Sequence, residues 1–248
     1  MDRNMEIKLS ERMEAVLGLA GKGRCIADIG CDHALLSMAA VQRGLYDGAL
    51  AMDLREGPLE AAKKNILETG FSDRIECRLS DGADGLNENE CDAAIVAGMG
   101  GHLIINIVKK NIGKFRALDR FVLQPQSDVG AVRRFLIDEG FEITDEDMVF
   151  EDGKYYPMMS LTYRMEDSLN NGLKPEGYDD VTYEFGKYLI AKKNPVLMDY
   201  LEYREGILAG VIANIEQADM DADRKSERLG ELNRELDLVR RGLCILKN

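Results

Sequence analysis

One turn constrains the fold of this chain more than any other feature: Ala27-Asp28-Ile29-Gly30-Cys31-Asp32-His33-Ala34. It follows the apolar run 25–27 and opens a helical pattern over 33–43, which is the strand–turn–helix order of a nucleotide-binding turn. A dinucleotide site would place glycines where Asp32 and Ala34 stand, so that the backbone can approach a pyrophosphate. An aspartate there repels pyrophosphate and suits a cationic cofactor without phosphate. The turn therefore predicts S-adenosylmethionine, which carries a sulfonium and an ammonium group.

Acidic and glycine-rich sequences like this turn also follow three later predicted strands. Three predicted strands end in acidic or glycine-rich sequences: Asp53 after 48–52, Ser80-Asp81-Gly82 after 75–79, and Gly98-Met99-Gly100-Gly101 after 93–97. Asp53 follows Gly30 at close to the spacing of about 20 residues at which an acid accepts hydrogen bonds from ribose hydroxyls. Ligands of open α/β sheets bind outside the carboxyl ends of the strands, so these sequences predict one shared site.

The order of the predicted elements favours an α/β fold. A leading helix over 1–21, with Ser10 as its N-cap, precedes strands and helices that alternate as far as Glu139, which predicts a Rossmann-like, doubly wound, mostly parallel sheet. After the fifth strand, 121–123, Ser127 is predicted to cap the next helix.

The sheet is predicted to end in an antiparallel hairpin. Two strand-like runs, 141–150 and 155–163, meet at Asp152-Gly153, which is a hairpin signal. Methyltransferases that use S-adenosylmethionine finish their sheet in this way, whereas dehydrogenases continue with a parallel strand. The hairpin therefore favours the same cofactor as the acidic turn.

The last third of the chain is predicted to be helical. A loop or linker over 170–177 precedes a short helix over 183–193, and two long helical patterns follow over 196–216 and 223–246. The break between the long patterns lets them fold back as an antiparallel pair. We expect an S-adenosylmethionine-binding domain over 1–165 and a small α-helical coiled-coil domain over 166–248, whose simplest role is dimerisation or stiffening.

Composition excludes several other classes of protein. The 248 residues include five cysteines that form no CxxC pair and no Cys/His cluster, so we expect free thiols in a reducing cytoplasm and no metal. We expect no membrane association, because the N-terminus lacks the plan of a signal peptide and the longest apolar region is interrupted by polar residues. The expected assembly is a monomer or a weak dimer.

Charge argues against a simple nucleic-acid binder, because the net charge is −13. Lysines and arginines nevertheless cluster along the sequence: at 109–120, at 133–134, at 187–193 and at 240–247. The simplest reading of each cluster is a solvated helix face. A basic patch still binds phosphate on an acidic protein if its acidic neighbours lie beyond about a Debye length.

Together, these motifs resemble the bacterial tRNA (adenine-22-N1)-methyltransferases from about residue 9 to residue 164. The matching pieces are Leu9-Ser10-Glu11-Arg12, 28–34, Glu56-Gly57-Pro58, Asp73-Arg74-Ile75, Asp81-Gly82, 97–101, Leu123-Gln124-Pro125 and Glu151-Asp152-Gly153-Lys154. Asp-His-Ala after the turn glycine, combined with Gly-Met-Gly-Gly, makes the resemblance specific. The sequence departs from the family at Cys31, where serine is common, and at Gln126, where asparagine is common.

The resemblance implies methyl transfer to N1 of an adenine in the D-arm region of tRNA. N1 of adenine offers an in-plane lone pair without a proton, so this reaction needs no general base. Alignment of the reactants and exclusion of water then carry the catalysis. The chain has neither the Pro-Cys pair of cytosine-C5 methylation nor the Asn/Asp-Pro-Pro-aromatic motif that holds an exocyclic amine.

The turns and the resemblance give three sets of candidate site residues. The cofactor-binding set is Asp28, Gly30, Cys31, Asp32, His33, Asp53, Leu54, Ser80, Asp81, Gly82 and Gly98. The set expected to form the wall for the target base and to carry the reaction is Gly98, Met99, Gly100, Gly101, Gln124 and Pro125. The set expected to contact tRNA is Arg12, Gln126, Lys154, Tyr156, Lys192, Lys193, Arg240 and Arg241.

Beside the resemblance, individual roles are assigned as hypotheses. We expect Asp32 near the methionine ammonium, Asp53 on the ribose hydroxyls and Asp81 on the adenine amine of the cofactor, with helix capping as the alternative for Asp32. Asp28 is expected to shape the turn rather than to be a buried structural acid. Tyr156 is either a stacking platform for a flipped base or a core residue of its strand.

Other functions stay open at this point. A lone histidine is more often a packed or capping residue than a catalyst, which applies to both histidines, His33 and His102. One alternative is a methyltransferase that acts on a small molecule or a protein, which would explain the acidity better. The other is a non-enzymatic Rossmann protein that binds a nucleotide or NAD.

Overall fold

The computed structural model describes residues 6–164, 177–219 and 221–248. The chain divides into two compact units, Met1–Leu173 and Lys174–Asn248. The predicted domain boundary at 165/166, most of the predicted linker 170–177 and the first five residues of the predicted leading helix lie outside the described residues.

The first unit is built on one mixed sheet. Its strands are β1 (Gly23–Ile29), β2 (Tyr46–Asp53), β3 (Ile75–Leu79), β4 (Ala93–Met99), β5 (Arg120–Pro125), β6 (Phe141–Glu151) and β7 (Lys154–Tyr163). Its helices are α1 (Glu11–Ala20), α2 (Leu35–Gln42), α3 (Glu56–Thr69), α4 (Gly101–Lys110), α5 (Ile112–Arg116) and α6 (Val129–Asp138). The strand order is β3-β2-β1-β4-β5-β7-β6, with β1 to β5 parallel and β7 antiparallel to both its neighbours. This confirms the predicted fold class.

Burial explains why the central strands read as continuous apolar runs. Ile26, Ala27 and Ile29 of β1 are at most 1% exposed, as are the middle residues of β4. Parallel strands covered by helices on both faces must be apolar on both faces. The helices α1, α2 and α3 contribute to one continuous core with β1, β4 and β5.

The hairpin forms as predicted. Asp152 and Gly153 join β6 to β7 with φ values of 49° and 75°. Positive φ at both central residues defines the type I′ turn that matches the twist of the two strands. The ladder runs from Phe141 opposite Tyr163 to Glu151 opposite Lys154, with one irregularity between Ile143 and Asp145.

The structure corrects three predictions about helices of the first unit. The leading helix, predicted over 1–21, begins at Glu11, and residues 6–10 are not helical. The helix predicted from His33 begins at Leu35, after a 3₁₀ turn in which His33 and Ala34 adopt φ values of 61° and 56°. Ser127 does not cap α6: its hydroxyl oxygen accepts the N–H of Gly101 at 3.2 Å, at the first turn of α4. The cap of α1 is confirmed, because Ser10 Oγ accepts the N–H of Met13 at 3.4 Å.

The second unit is helical, as predicted. Its described helices are α7 (Asp180–Phe185), α8 (Lys187–Ala191), α9 (Pro195–Gln217) and α10 (Ala222–Lys247). The single helix predicted over 183–193 is wrong, because Gly186 interrupts it with a φ of 94°. The long helices pack antiparallel: the ion pairs Glu202–Lys247 and Glu205–Arg240 join them, at 2.9 and 2.8 Å.

None of the helices in the described segments is long and apolar enough to cross a membrane.

One ion pair of the core supplies a test of the fold. Arg133 of α6, predicted as part of a solvated basic cluster, is 1% exposed, and its Nε donates to Glu146 Oε1 of β6 at 2.8 Å. Arg133→Met removes this charged partner from a buried carboxylate and is expected to lower the free energy of unfolding by about 3–5 kcal/mol. Urea denaturation measures this loss, and adding Glu146→Leu is expected to restore most of it. Equal stability of Arg133→Met and the wild type would contradict the assignment.

Candidate active site

A deep cavity of the first unit lies at the carboxyl ends of the parallel strands. It is a cavity of about 640 Å³ lined by the ends of β1, β2, β3 and β4 and by the segment 8–13 that leads into α1. Strand order reverses between β1 and β4, whose next strands along the chain lie on opposite sides. The cavity therefore sits at the topological switch point, where open α/β sheets bind ligands.

Asp28, at the end of β1, is the buried acid of this cavity. It is 5% exposed, and its Oδ2 accepts the hydroxyl of Ser37 in the first turn of α2 at 2.8 Å. Burial raises the pKa of Asp28 to about 6, and the negative charges of Asp53 and Asp32 act in the same direction. The expectation that Asp28 is not a structural acid is wrong: it lines the cavity and also holds α2 to β1.

Asp53, at the end of β2, is the second buried acid. It is 6% exposed, and its Oδ1 accepts the N–H of Arg55 at 2.8 Å. Its carbonyl oxygen accepts the N–H of Ser80 at 2.9 Å, which ties the end of β2 to the loop after β3. Asp53 and Asp81 thus reach the cavity from neighbouring loops.

Positive φ explains one glycine of the site, Gly30, and close backbone approach explains another, Gly101. Gly30 has a φ of 81°, and a Cβ there would lie 2.4 Å from Met99 Cε. A Cβ on Gly101 would lie 2.3 Å from the carbonyl oxygen of Ser127, which is a backbone atom and cannot give way by changing rotamer. Both positions therefore require glycine.

Gln124 supports the last residues of β4 by side-chain hydrogen bonds. It is fully buried, and its Oε1 accepts the N–H of Gly98 at 3.0 Å and Nη1 of Arg12 at 3.4 Å, while its Nε2 donates to the carbonyl oxygen of Pro125 at 3.1 Å. The side-chain amide is thus used within the protein. The prediction that Gln124 and Pro125 form the wall for a base is not supported by their positions, whereas Gln126 lines the cavity.

Most of the predicted residues meet in this cavity. Those that line it are Arg12, Asp28, Gly30, Cys31, Asp32, Asp53, Leu54, Ser80, Asp81, Gly82, Gly98, Met99 and Gln126. Those that do not line it are His33, Gly100, Gly101, Gln124, Pro125, Lys154 and Tyr156. Lys192, Lys193, Arg240 and Arg241 belong to the second unit, and the last two are paired with Glu205 and Asp179.

The histidines and Asp32 sit in exposed places. Asp32 does not cap a helix: its side chain is 77% exposed and its Oδ1 lies 3.6 Å from Nε2 of His33. His102, near the start of α4, is 78% exposed in its side chain and lies 3.7 Å from Asp128. Neither histidine is among the residues that line the cavity.

The contacts of Arg12 with the β6–β7 hairpin could not be predicted from the sequence. Its backbone N–H donates to Glu151 Oε1 at 3.1 Å, and its guanidinium lies over the ring of Tyr156, 4.7 Å from the centroid. Its Nε is buried without a hydrogen-bond partner among the described residues. These contacts join residues more than a hundred positions apart, so only the Leu9-Ser10-Glu11-Arg12 motif pointed to this place.

Comparison with known proteins agrees with this geometry. A family model described as a methyltransferase domain matches residues 9–159. The chain is 30% identical over 235 residues to the tRNA (adenine(22)-N(1))-methyltransferase of Bacillus subtilis (strain 168), covering 95% of this chain and 97% of the relative.

Two solved structures resemble this chain over nearly their whole length. The crystal structure of the B. subtilis M1A22 tRNA methyltransferase has a TM-score of 0.83 and 29% identity, covering 96% of this chain and 100% of that chain. A putative tRNA (m1A22) methyltransferase of Streptococcus pneumoniae, in complex with S-adenosyl-L-methionine, has a TM-score of 0.81 and 26% identity, covering 95% of this chain and 100% of that chain.

Fold, site and family model define the chain as a Rossmann-like methyltransferase. The match along nearly all of both chains then places it in a particular family. The chain belongs to the tRNA (adenine(22)-N(1))-methyltransferases, which confirms the resemblance read from its motifs.

The raised pKa of Asp28 gives a pH-dependent prediction. A carboxyl whose pKa is higher in the folded than in the unfolded protein favours folding at low pH and loses that contribution as pH rises through about 6. Asp28→Asn removes this loss, so its stability relative to wild type is expected to rise by about 2 kcal/mol between about pH 4.5 and about pH 7.5. Urea denaturation at both pH values measures the difference, and a difference that falls with pH would contradict the assignment.

The buried amide of Gln124 gives a second prediction. Gln124→Leu removes the acceptor of the Gly98 N–H and is expected to destabilise the protein by about 1–3 kcal/mol. Gln124→Glu keeps an acceptor oxygen at this position but loses the Nε2 donor to Pro125 and buries a carboxyl group, so it is expected to be destabilised as well. Thermal unfolding ranks the variants, and a Leu variant as stable as wild type would show that the hydrogen bond contributes nothing.

Proposed function

We propose that the protein transfers the methyl group of S-adenosylmethionine to N1 of adenine 22 in tRNA. The observation that carries the cofactor is the cavity at the switch point, which carboxylates line from three strand ends. The target nucleotide rests on the name of the B. subtilis relative that matches along almost the whole chain.

The residues of the cavity fit this cofactor. When bound, S-adenosylmethionine supplies an electrophilic methyl group on a positively charged sulfur. The cavity is lined by the carboxylates of Asp28, Asp53 and Asp32. They attract a sulfonium and an ammonium group and repel a diphosphate. Leu54 and Leu103, which are 63% and 52% exposed, offer apolar surface to an adenine ring at the same edge.

Each acid has a proposed role. Asp53 accepts hydrogen bonds from the ribose hydroxyls, Asp32 from the methionine ammonium and Asp81 from the adenine amine. Asp28 holds Ser37 and therefore the first turn of α2, which fixes the loop in which Asp32 lies. The protein supplies position and electrostatics, and no described residue of the cavity is a histidine that would act as a base.

The tRNA is proposed to approach the end of β4, where Gly98 and Met99 line the cavity beside Gln126, whose backbone N–H donates to the carbonyl oxygen of Met99 at 2.8 Å. In the second unit, Lys192 and Lys193 are exposed and are proposed to contact phosphate, while ion pairs offset the charge of Arg240 and Arg241. A tRNA substrate makes the cytoplasm the proposed location. A monomer or weak dimer stays the proposed assembly.

Loss of Asp53 is the sharpest test of the cofactor site. Asp53→Ala removes the proposed acceptor of two hydroxyls and is expected to weaken S-adenosylhomocysteine by about 3 kcal/mol, a loss of more than about a hundredfold. Asp47→Ala, an exposed acid at the opposite end of β2, is the matched control and is expected to bind normally. Calorimetry measures both affinities, and an unchanged affinity in Asp53→Ala would refute the assignment.

The target nucleotide is tested separately. Incubation of the protein with labelled methyl donor and tRNA is expected to label N1 of adenine 22, as mapped by nucleoside analysis, and an A-to-G replacement there is expected to abolish labelling. Labelling at another nucleotide, or stabilisation by NAD rather than by S-adenosylhomocysteine in thermal unfolding, would refute the proposal.

A further inference from the structure

The hairpin β6–β7 extends past the edge of the sheet where the active site lies. Leu123 of β5 pairs with Met159 of β7. Continuing this antiparallel register places Pro157 level with Pro125, the last residue of β5. The residues of β7 that precede Pro157 therefore project beyond the strand end, by about 10 Å at the rise of a β-strand.

The inner face of this projecting tip is braced. Tyr156 lies opposite Val149, and the guanidinium of Arg12 covers its ring. Glu151 accepts the backbone N–H of Arg12 and lies 3.7 Å from its Nε. The hairpin tip is thereby fixed to the start of α1, and its position relative to the cavity is set.

The outer face of the tip carries an exposed aromatic pair. Phe150 lies opposite Tyr155, so both side chains are on the face away from Tyr156. Their ring centroids are 4.6 Å apart at an interplanar angle of 45°, and Phe150 is still 48% exposed. An exposed phenylalanine fixed on a rigid turn is a surface on which a planar ring can stack at low entropic cost.

The charges at the tip balance. Glu151 is engaged by Arg12, and the exposed residues Asp152 and Lys154 carry opposite signs on either side of Gly153. The tip therefore offers little attraction to a phosphate backbone, which fits a chain of net charge −13. Stacking on an aromatic ring, in contrast, does not require a positively charged surface.

We propose that the Phe150–Tyr155 pair is a stacking platform for an unstacked base of the RNA substrate, next to the base that enters the cavity. The inference rests on the proposed function. N1 lies on the pairing edge of adenine, so the target base must leave its stack and its neighbour loses a stacking partner. A rigid aromatic pair beyond the edge of the active site replaces that partner.

The test compares variants at Phe150 in the full-length protein. Phe150→Ala is expected to raise the KM for tRNA at least about fivefold, because base–aromatic stacking is worth about 1–3 kcal/mol. Phe150→Trp is expected to keep the wild-type KM. The affinity for S-adenosylhomocysteine and the dependence of the KM on salt are expected to stay unchanged, because neither the cofactor nor phosphate contacts this pair.

Leu67→Ala, at a 71% exposed apolar position of α3, is the control for loss of exposed apolar surface and is expected to leave the KM unchanged. A wild-type KM in Phe150→Ala, with methylation intact, overturns the platform and leaves the proposed function standing. Absence of tRNA methylation by the wild type overturns the proposed function itself. Dimerisation of the wild type that Phe150→Ala abolishes in sedimentation would assign the pair to self-association and also overturn the platform.

Discussion

The arrangement of the active site depends on burying one carboxylate at the end of β1. Asp28 is almost without solvent, and the shift of its pKa to about 6 shows that the surroundings oppose its charge. The hydroxyl of Ser37 offsets part of that cost and makes the acid the joint between β1 and α2. An isolated buried carboxylate is unfavourable, so this position is stable in the folded protein only with a donor on one side and a polar cavity on the other.

The hydrogen bond between Asp28 and Ser37 lies beside two unfavourable features at the carboxyl ends of β1 and β2. Between Asp28 and α2 the loop 30–34 is strained, because His33 and Ala34 lie in the left-handed region, and Gly30, Cys31 and Asp32 of this loop line the cavity. Asp53 comes from β2, which pairs with β1 in register, so the two acids repel each other across adjacent strand ends. A bound cation relieves this repulsion, which means that the protein stores unfavourable electrostatics that a cationic ligand releases on binding.

The fold could be read from the sequence where local and global requirements coincide. The sequence predicts strand β3 with its observed bounds. Asp152-Gly153 predicts the β6–β7 hairpin, because the turn needs positive φ at both residues. Side-chain partners were not predictable in the same way. Ser127 stands beside two helix starts, and the sequence does not show that its hydroxyl reaches Gly101 rather than its own helix.

Gln124 and Arg133 show the same limit for polar residues. The amide of Gln124 reads as a base-binding group, and only its position on a strand covered on both faces reveals that it supports Gly98. Arg133 reads as a surface charge until Glu146, on another element, is placed against it. The sequence thus predicts which backbone edge bears the site, because period and turn chemistry are local. It does not predict which polar side chains are buried and hydrogen-bonded within the protein, because these bonds join residues that are distant along the chain.

The net negative charge of an acidic protein repels RNA, so its affinity for RNA must come from interactions other than overall charge. In the first unit, acids take up many of the cations: Lys110 lies against Asp84 and Asp81, and Arg116 against Glu139. The negative lining that suits the cofactor also repels the phosphates of the substrate at the place where the target base must enter. Contacts that do not depend on the sign of charge, such as stacking on fixed aromatic rings, avoid this repulsion and leave the negative charge of the cofactor site unchanged. The separation of an acidic cavity from an aromatic hairpin tip is therefore what the two ligands together require.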